Sequence, residues 1–166
     1  MFFKAFDPTG RLLSLICAAC IAMLAFGLYL QHVVGLEPCP MCIVQRYALI
    51  LVAIVAAATA FAQRRGPLVA GSSLMLLIAG LGAFVAARQS FLQWYPLEVA
   101  SCGRDLYGMI ETFPLKRVIP MIFKGSGDCT KIDWTFLGLS IANWSFVSFL
   151  AIVLLGFVLI FRQSNR

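Results

Sequence analysis

The chain has 166 residues, of which 61% are hydrophobic and 12% charged, with a mean hydropathy of +0.93. Soluble domains carry about 25% charged residues, so this composition argues against a water-soluble fold and for a lipid-embedded one. The net charge of +6 does not point to nucleic acid, because the basic residues flank apolar runs instead of alternating with aromatics in a polar stretch.

Lys4 and Arg11 precede the first apolar run, about residues 12–30, which carries no charge. Crossing a bilayer core takes about 20 helical residues. A membrane strand would instead alternate with period two, which this run does not. A charged start before an apolar run also fits a secretory leader. The run is long for one, however, and three more follow, so it is expected to remain as a span. Cys17 and Cys20 lie inside it, where a thiolate would be unsolvated, so they read as small packing residues. His32, the one histidine, is expected to sit at the interface and not to act as a ligand.

The first loop, about residues 31–42, contains no Lys or Arg and ends in Cys39-Pro40-Met41-Cys42. Such a spacing lets two sulfurs close a small reversible disulfide, and backbone N–H groups at a helix start favour the thiolate. Cys42 is expected at that start. The second span, about 43–62, is interrupted only by Arg46, one helical turn after Cys42 and on the same face. An ionisable residue inside a span is a functional candidate, here for stabilising a thiolate or a reduced anionic cofactor. Its plain alternative is to snorkel toward lipid headgroups. No histidine follows Cys42, which excludes a c-type haem attachment.

Arg64 and Arg65 lie in the short turn before the third span, about 67–87. Ala53 and Ala57, and Ala79, Ala83 and Ala87, repeat at helical spacing and predict close helix approach. The long second loop, about 88–134, mixes six basic with five acidic residues and holds Cys102 and Cys129. Residues 112–124 read either as an interfacial segment interrupted by Pro114 and Pro120 or as an ordered loop packed on the bundle. A Cys102–Cys129 disulfide could be a plain staple, contributing roughly 3–4 kcal/mol in the chain-entropy account. A closed Cys₄ zinc site would need two short-spaced pairs, and these two cysteines are 27 positions apart. No metal is therefore expected.

The fourth span, about 136–161, ends at Arg162 and Arg166. Trp94, Tyr95, Trp134 and Trp144 fit an aromatic belt. Lys and Arg thus gather at the N-terminus, the second turn and the C-terminus, which places both termini in the cytoplasm and both cysteine loops outside. The expected architecture is an all-α membrane protein: one integral membrane domain over residues 1–166, folded as a four-transmembrane-helix bundle.

The residues Gln31-His32, the Cys-Pro-Met-Cys run followed by Arg46, and Tyr95-Pro96 before Cys102 occur together in this chain. So do Ser126-Gly127-Asp128-Cys129 and Trp134 before Leu137-Gly138-Leu139. In this combination, over nearly its whole length, the chain resembles the disulfide bond formation protein B family of bacterial inner membranes. The resemblance implies a quinone-dependent protein-thiol oxidoreductase that reoxidises a periplasmic DsbA-like thiol oxidase. The partner's thiolate would attack Cys102 and free Cys129. Electrons would then reach the Cys39–Cys42 disulfide, through a Cys129–Cys39 link. Cys42, released beside Arg46, would form an adduct or charge-transfer complex with ubiquinone or menaquinone. Such a soluble partner is itself a strong oxidant, about −120 mV, so an oxidant drawn down by respiration is wanted.

Many family members carry a histidine shortly before the Tyr-Pro pair, in the quinone region, where this chain has Arg88-Gln89. Gln89 can donate a hydrogen bond there but does not titrate. Two other readings compete: a quinone-linked reductase of related four-helix type, and a non-enzymatic tetraspan protein with structural disulfides. Placement of four cysteines outside, with no relay from the cytoplasm, disfavours the reductase.

Overall fold

The computed structural model describes residues 8–36, 39–62, 64–95 and 134–164. Four helices dominate: α1 (Pro8–His32), α2 (Pro40–Ala60), α3 (Arg65–Trp94) and α4 (Ile141–Ser164). Each is long and apolar enough to cross a membrane. A two-stranded antiparallel hairpin, β1 (Thr135–Phe136) and β2 (Leu139–Ser140), leads directly into α4.

The ends of the helices follow from local chemistry. Past α1, Gly35 takes the left-handed conformation (φ 78°), and Leu36 N–H donates back to Leu30 O at 3.1 Å. α2 opens with Cys39 as N-cap and Pro40 in its first turn, where proline forfeits no helical hydrogen bond. α3 stops at Trp94 because Pro96 follows: the residue before a proline is driven out of the α region, and Tyr95 sits at φ −125°, ψ 75°. That end lies seven residues beyond the expected one, since Arg88 and Gln89 end the apolar run but not the helix. At 30 residues α3 measures about 45 Å, longer than the roughly 30 Å hydrocarbon core.

The fourth span also begins later than expected, at Ile141 instead of residue 136. The segment before it turns back on itself. Thr135 pairs with Ser140 and Phe136 with Leu139, leaving Leu137 and Gly138 as a two-residue loop with φ 52° and 78°. Positive φ at both positions is the primed turn that matches strand twist. An apolar run of helical length thus conceals a hairpin.

α1 packs on α2, α2 on α3 and α3 on α4. The buried face of α3 runs through Ser72, Met75, Ala79, Gly82, Ala86 and Gln89, alternating steps of three and four. This is a different row from Ala79, Ala83 and Ala87: Ala79 belongs to it, while Ala83 and Ala87 flank it half-buried. Gly82 makes the close approach possible, because a Cβ there would lie 2.5 Å from the ring of Phe149 on α4. Cys20 is fully buried among Leu13 and Ile16, with Cys17 partly buried beside it, so both pack as small apolar side chains. The outward faces carry Leu15, Ile21, Leu77, Leu81 and Leu154, an apolar surface suited to lipid.

Candidate functional site

Cys-Pro-Met-Cys folds as a helix start because proline pre-sets the first-turn geometry and the preceding cysteine caps it. The cap is Cys39, whose Sγ accepts the Cys42 N–H at 3.3 Å. Cys42 lies within the first turn, at the helix start where it was expected, and lends its N–H to the sulfur of Cys39. Both sulfurs are met from across the bundle by Gln89 of α3. Its Nε2 donates to Cys39 Sγ at 3.2 Å and to Cys42 Sγ at 3.3 Å. Two N–H groups on one amide nitrogen suffice for two acceptors. Gln89 is in turn held by Gln45, whose Nε2 donates to Gln89 Oε1 at 2.7 Å.

Arg46 is half-buried and does not snorkel outward. Its guanidinium reaches α1, where NH1 donates to Gln31 Oε1 at 2.5 Å and NH2 to Gly27 O at 3.0 Å. The guanidinium passes close over Gly27, its Nε at ordinary contact distance (3.6 Å) from where a Cβ would stand.

These groups line one cavity of about 560 Å³, walled by residues of all four helices and of the hairpin. Its polar side presents Cys39, Cys42, Gln45, Arg46 and Gln89. Much of the rest is apolar or aromatic: Leu24, Leu30 and Leu49, with Phe26, Trp134 and Trp144. The aromatics interlock. Trp134 stacks on Phe136 (6.0 Å, 6°) and meets Phe26 edge-on at 5.7 Å. Trp144 Nε1 donates to Phe136 O at 3.1 Å. Ser140 fastens the hairpin to α3 by donating to Gln93 Oε1 at 2.5 Å, and it accepts the Asn143 N–H at the start of α4.

The structure therefore brings four of the expected site residues together: Cys39, Cys42, Arg46 and Gln89. Cys102 and Cys129 lie outside the described residues, as does the 112–124 segment. His32 is exposed at the end of α1. Trp94 and Tyr95 are exposed as a belt requires, whereas Trp134 and Trp144 form cavity wall. The sequence reading missed Gln45, Gln93 and the role of Gln31. A neutral polar residue on the Cys42 side of an apolar helix was the available signal for Gln45.

Residues 9–159 match the family described as "Disulfide bond formation protein DsbB". The disulfide bond formation protein B of Polaromonas sp. strain JS666 is 76% identical over 167 residues, covering 100% of this chain and 99% of the relative. That of Polaromonas naphthalenivorans strain CJ2 is 71% identical, with the same coverage. The protein of that name from Aromatoleum aromaticum is 49% identical, over 97% of both chains. The chain belongs to the disulfide bond formation protein B family, four-helix membrane proteins with a thiol oxidoreductase role in forming disulfide bonds.

Proposed function

We propose that this protein reoxidises a periplasmic DsbA-like thiol oxidase by thiol–disulfide exchange, with a membrane quinone as terminal electron acceptor. Cys102 and Cys129 are the exchange pair facing the soluble partner. Cys39 and Cys42 are the inner pair, reduced when the outer disulfide is restored. The observation that carries the reading is that both inner sulfurs line an aromatic-walled cavity that also presents Arg46.

The cavity fits a quinone by its chemistry. About 560 Å³ falls within the ordinary range for small-molecule sites. Its wall gives flat aromatic surface, its polar side gives N–H donors suited to carbonyl oxygens, and its place among membrane-spanning helices suits a lipid-soluble molecule. Arg46 and Gln89 would hold the quinone head beside Cys42. When bound, a quinone supplies a sink for two electrons and two protons, which balances oxidation of two thiols to one disulfide. The chain's own part is to keep the sulfurs close together, to offer them donors as charge develops, and to exclude bulk water. Gln31 and Gly27 fix Arg46 so that its charge stays at the cavity. On this reading the protein sits in the bacterial inner membrane, with both termini cytoplasmic and the cysteine loops periplasmic.

Purified protein mixed with quinone and a reduced thioredoxin-fold partner should reduce the quinone as the partner becomes oxidised. Two intact disulfides with no turnover would leave only a bracing role for these cysteines.

A further inference from the structure

Gln45 and Gln89 are 4% and 3% exposed. Burying an amide is costly unless it is hydrogen-bonded, so what each one bonds to matters. The bond between them is directional. Gln45 Nε2 donates to Gln89 Oε1, which leaves Gln89 Nε2 as the atom turned toward both sulfurs. Rotated by half a turn, Gln89 would set its carbonyl oxygen against them, and an oxygen lone pair repels a thiolate. The amide is nearly the same shape either way round, so packing alone cannot choose. Its hydrogen-bond partners choose: Gln45 on one side and the two sulfurs on the other.

We infer that Gln45 is a positioning residue for the inner cysteine pair. It holds the Gln89 amide with its N–H groups toward Cys39 and Cys42 and so sets how readily a thiolate forms there. This rests on reading those cysteines as the redox pair and adds a residue to it. The donor so held is neutral at every working pH, unlike an imidazole in the same place.

The charged group that shares the cavity with the two sulfurs is Arg46 of α2, whose guanidinium is held by Gln31 and Gly27 of α1 and is left unchanged in every variant below. On α1, His32 is exposed at the helix end. On α3, Arg88 lies over the Phe91 ring at 5.8 Å. On α4, Arg162 stands in the last turn, away from the cysteine end of the bundle.

The test uses the full chain with Cys17 and Cys20 replaced by Ala and Cys102 and Cys129 by Ser, so that only the inner pair reacts. After reduction, alkylation by iodoacetamide across a pH series reads the thiolate without any quinone. Gln89→Met is expected to lower the neutral-pH rate about tenfold, about 1.4 kcal/mol. Gln45→Met should lower it by a similar factor. In the Gln89→Met background, Gln45→Met should add nothing, because it acts only through Gln89. An unchanged rate in Gln45→Met, or a loss that multiplies with that of Gln89→Met, overturns the inference.

Should Gln45→Met fail to fold, Gln45→Leu removes the same donor with a side chain of similar bulk and no charge. A loss of about tenfold or more is then expected, and no loss overturns the inference. Turnover of the unmodified chain with quinone and reduced partner is measured alongside. Its absence strikes the oxidase reading, while the alkylation result is judged separately.

Discussion

Arg46 illustrates what one side chain contributes at this site. A guanidinium has five donors in a fixed fork, and two of its nitrogens are engaged by α1 while the charge stays at the cavity wall. A hydrogen bond to a charged group is worth about 1.5–3 kcal/mol, so Arg46→Met should raise the quinone KM roughly tenfold to a hundredfold. Exchange with the soluble partner should fall far less. Steady-state rates at varied quinone and varied partner separate the two; equal losses would mean that Arg46 only supports the fold. Cys39, Cys42 and Arg46 were legible in the sequence as chemical exceptions at the start of an apolar run, and Gln89 through the family resemblance. Gln45 was not, since its meaning lies in a partner 44 positions away, which only the packing of α2 on α3 brings near. The orientation of the capping cysteine was also hidden, because Cys39 and Cys42 both suit a helix start on paper.

At the scale of elements, Gly82 and the hairpin carry the consequences. Phe149 is fully buried, lies against Gly82 and also lines the cavity. Gly82→Ala must push that ring aside, and overpacking of this kind costs about 1–3 kcal/mol. A lower unfolding midpoint in detergent and a raised quinone KM are expected together; no change in either would show that Phe149 has room to move. In the hairpin, Leu137 is 78% exposed and holds a positive φ that suits asparagine better. Leu137→Asn should leave the unfolding midpoint equal or higher, whereas Gly138→Val should lose about 1–2 kcal/mol to backbone strain. Gly138→Val should also disturb the Trp144–Phe136 contact, visible in tryptophan fluorescence. Four apolar runs were enough to count the helices. Their ends were harder to read: Pro96 marked the end of α3 in plain sight, while the Leu-Gly turn was masked by its own hydrophobicity.

Across the whole molecule, four crossings return the chain to the side it started from, and Arg11, Arg64, Arg65 and Arg162 gather at that side. With the native cysteines removed, a cysteine placed at exposed position 65 should react with an impermeant maleimide only after the cytoplasmic face is opened. Labelling of intact spheroplasts would reverse the proposed topology. All four helices contribute wall to the cavity, so an occupant would touch each of them at once. A molecule that binds only the folded bundle stabilises it by about 2.7 kcal/mol at a hundred times its dissociation constant. The heat resistance of this protein should accordingly track the quinone content of its surroundings, making the respiratory state of the membrane a determinant of how long the bundle survives.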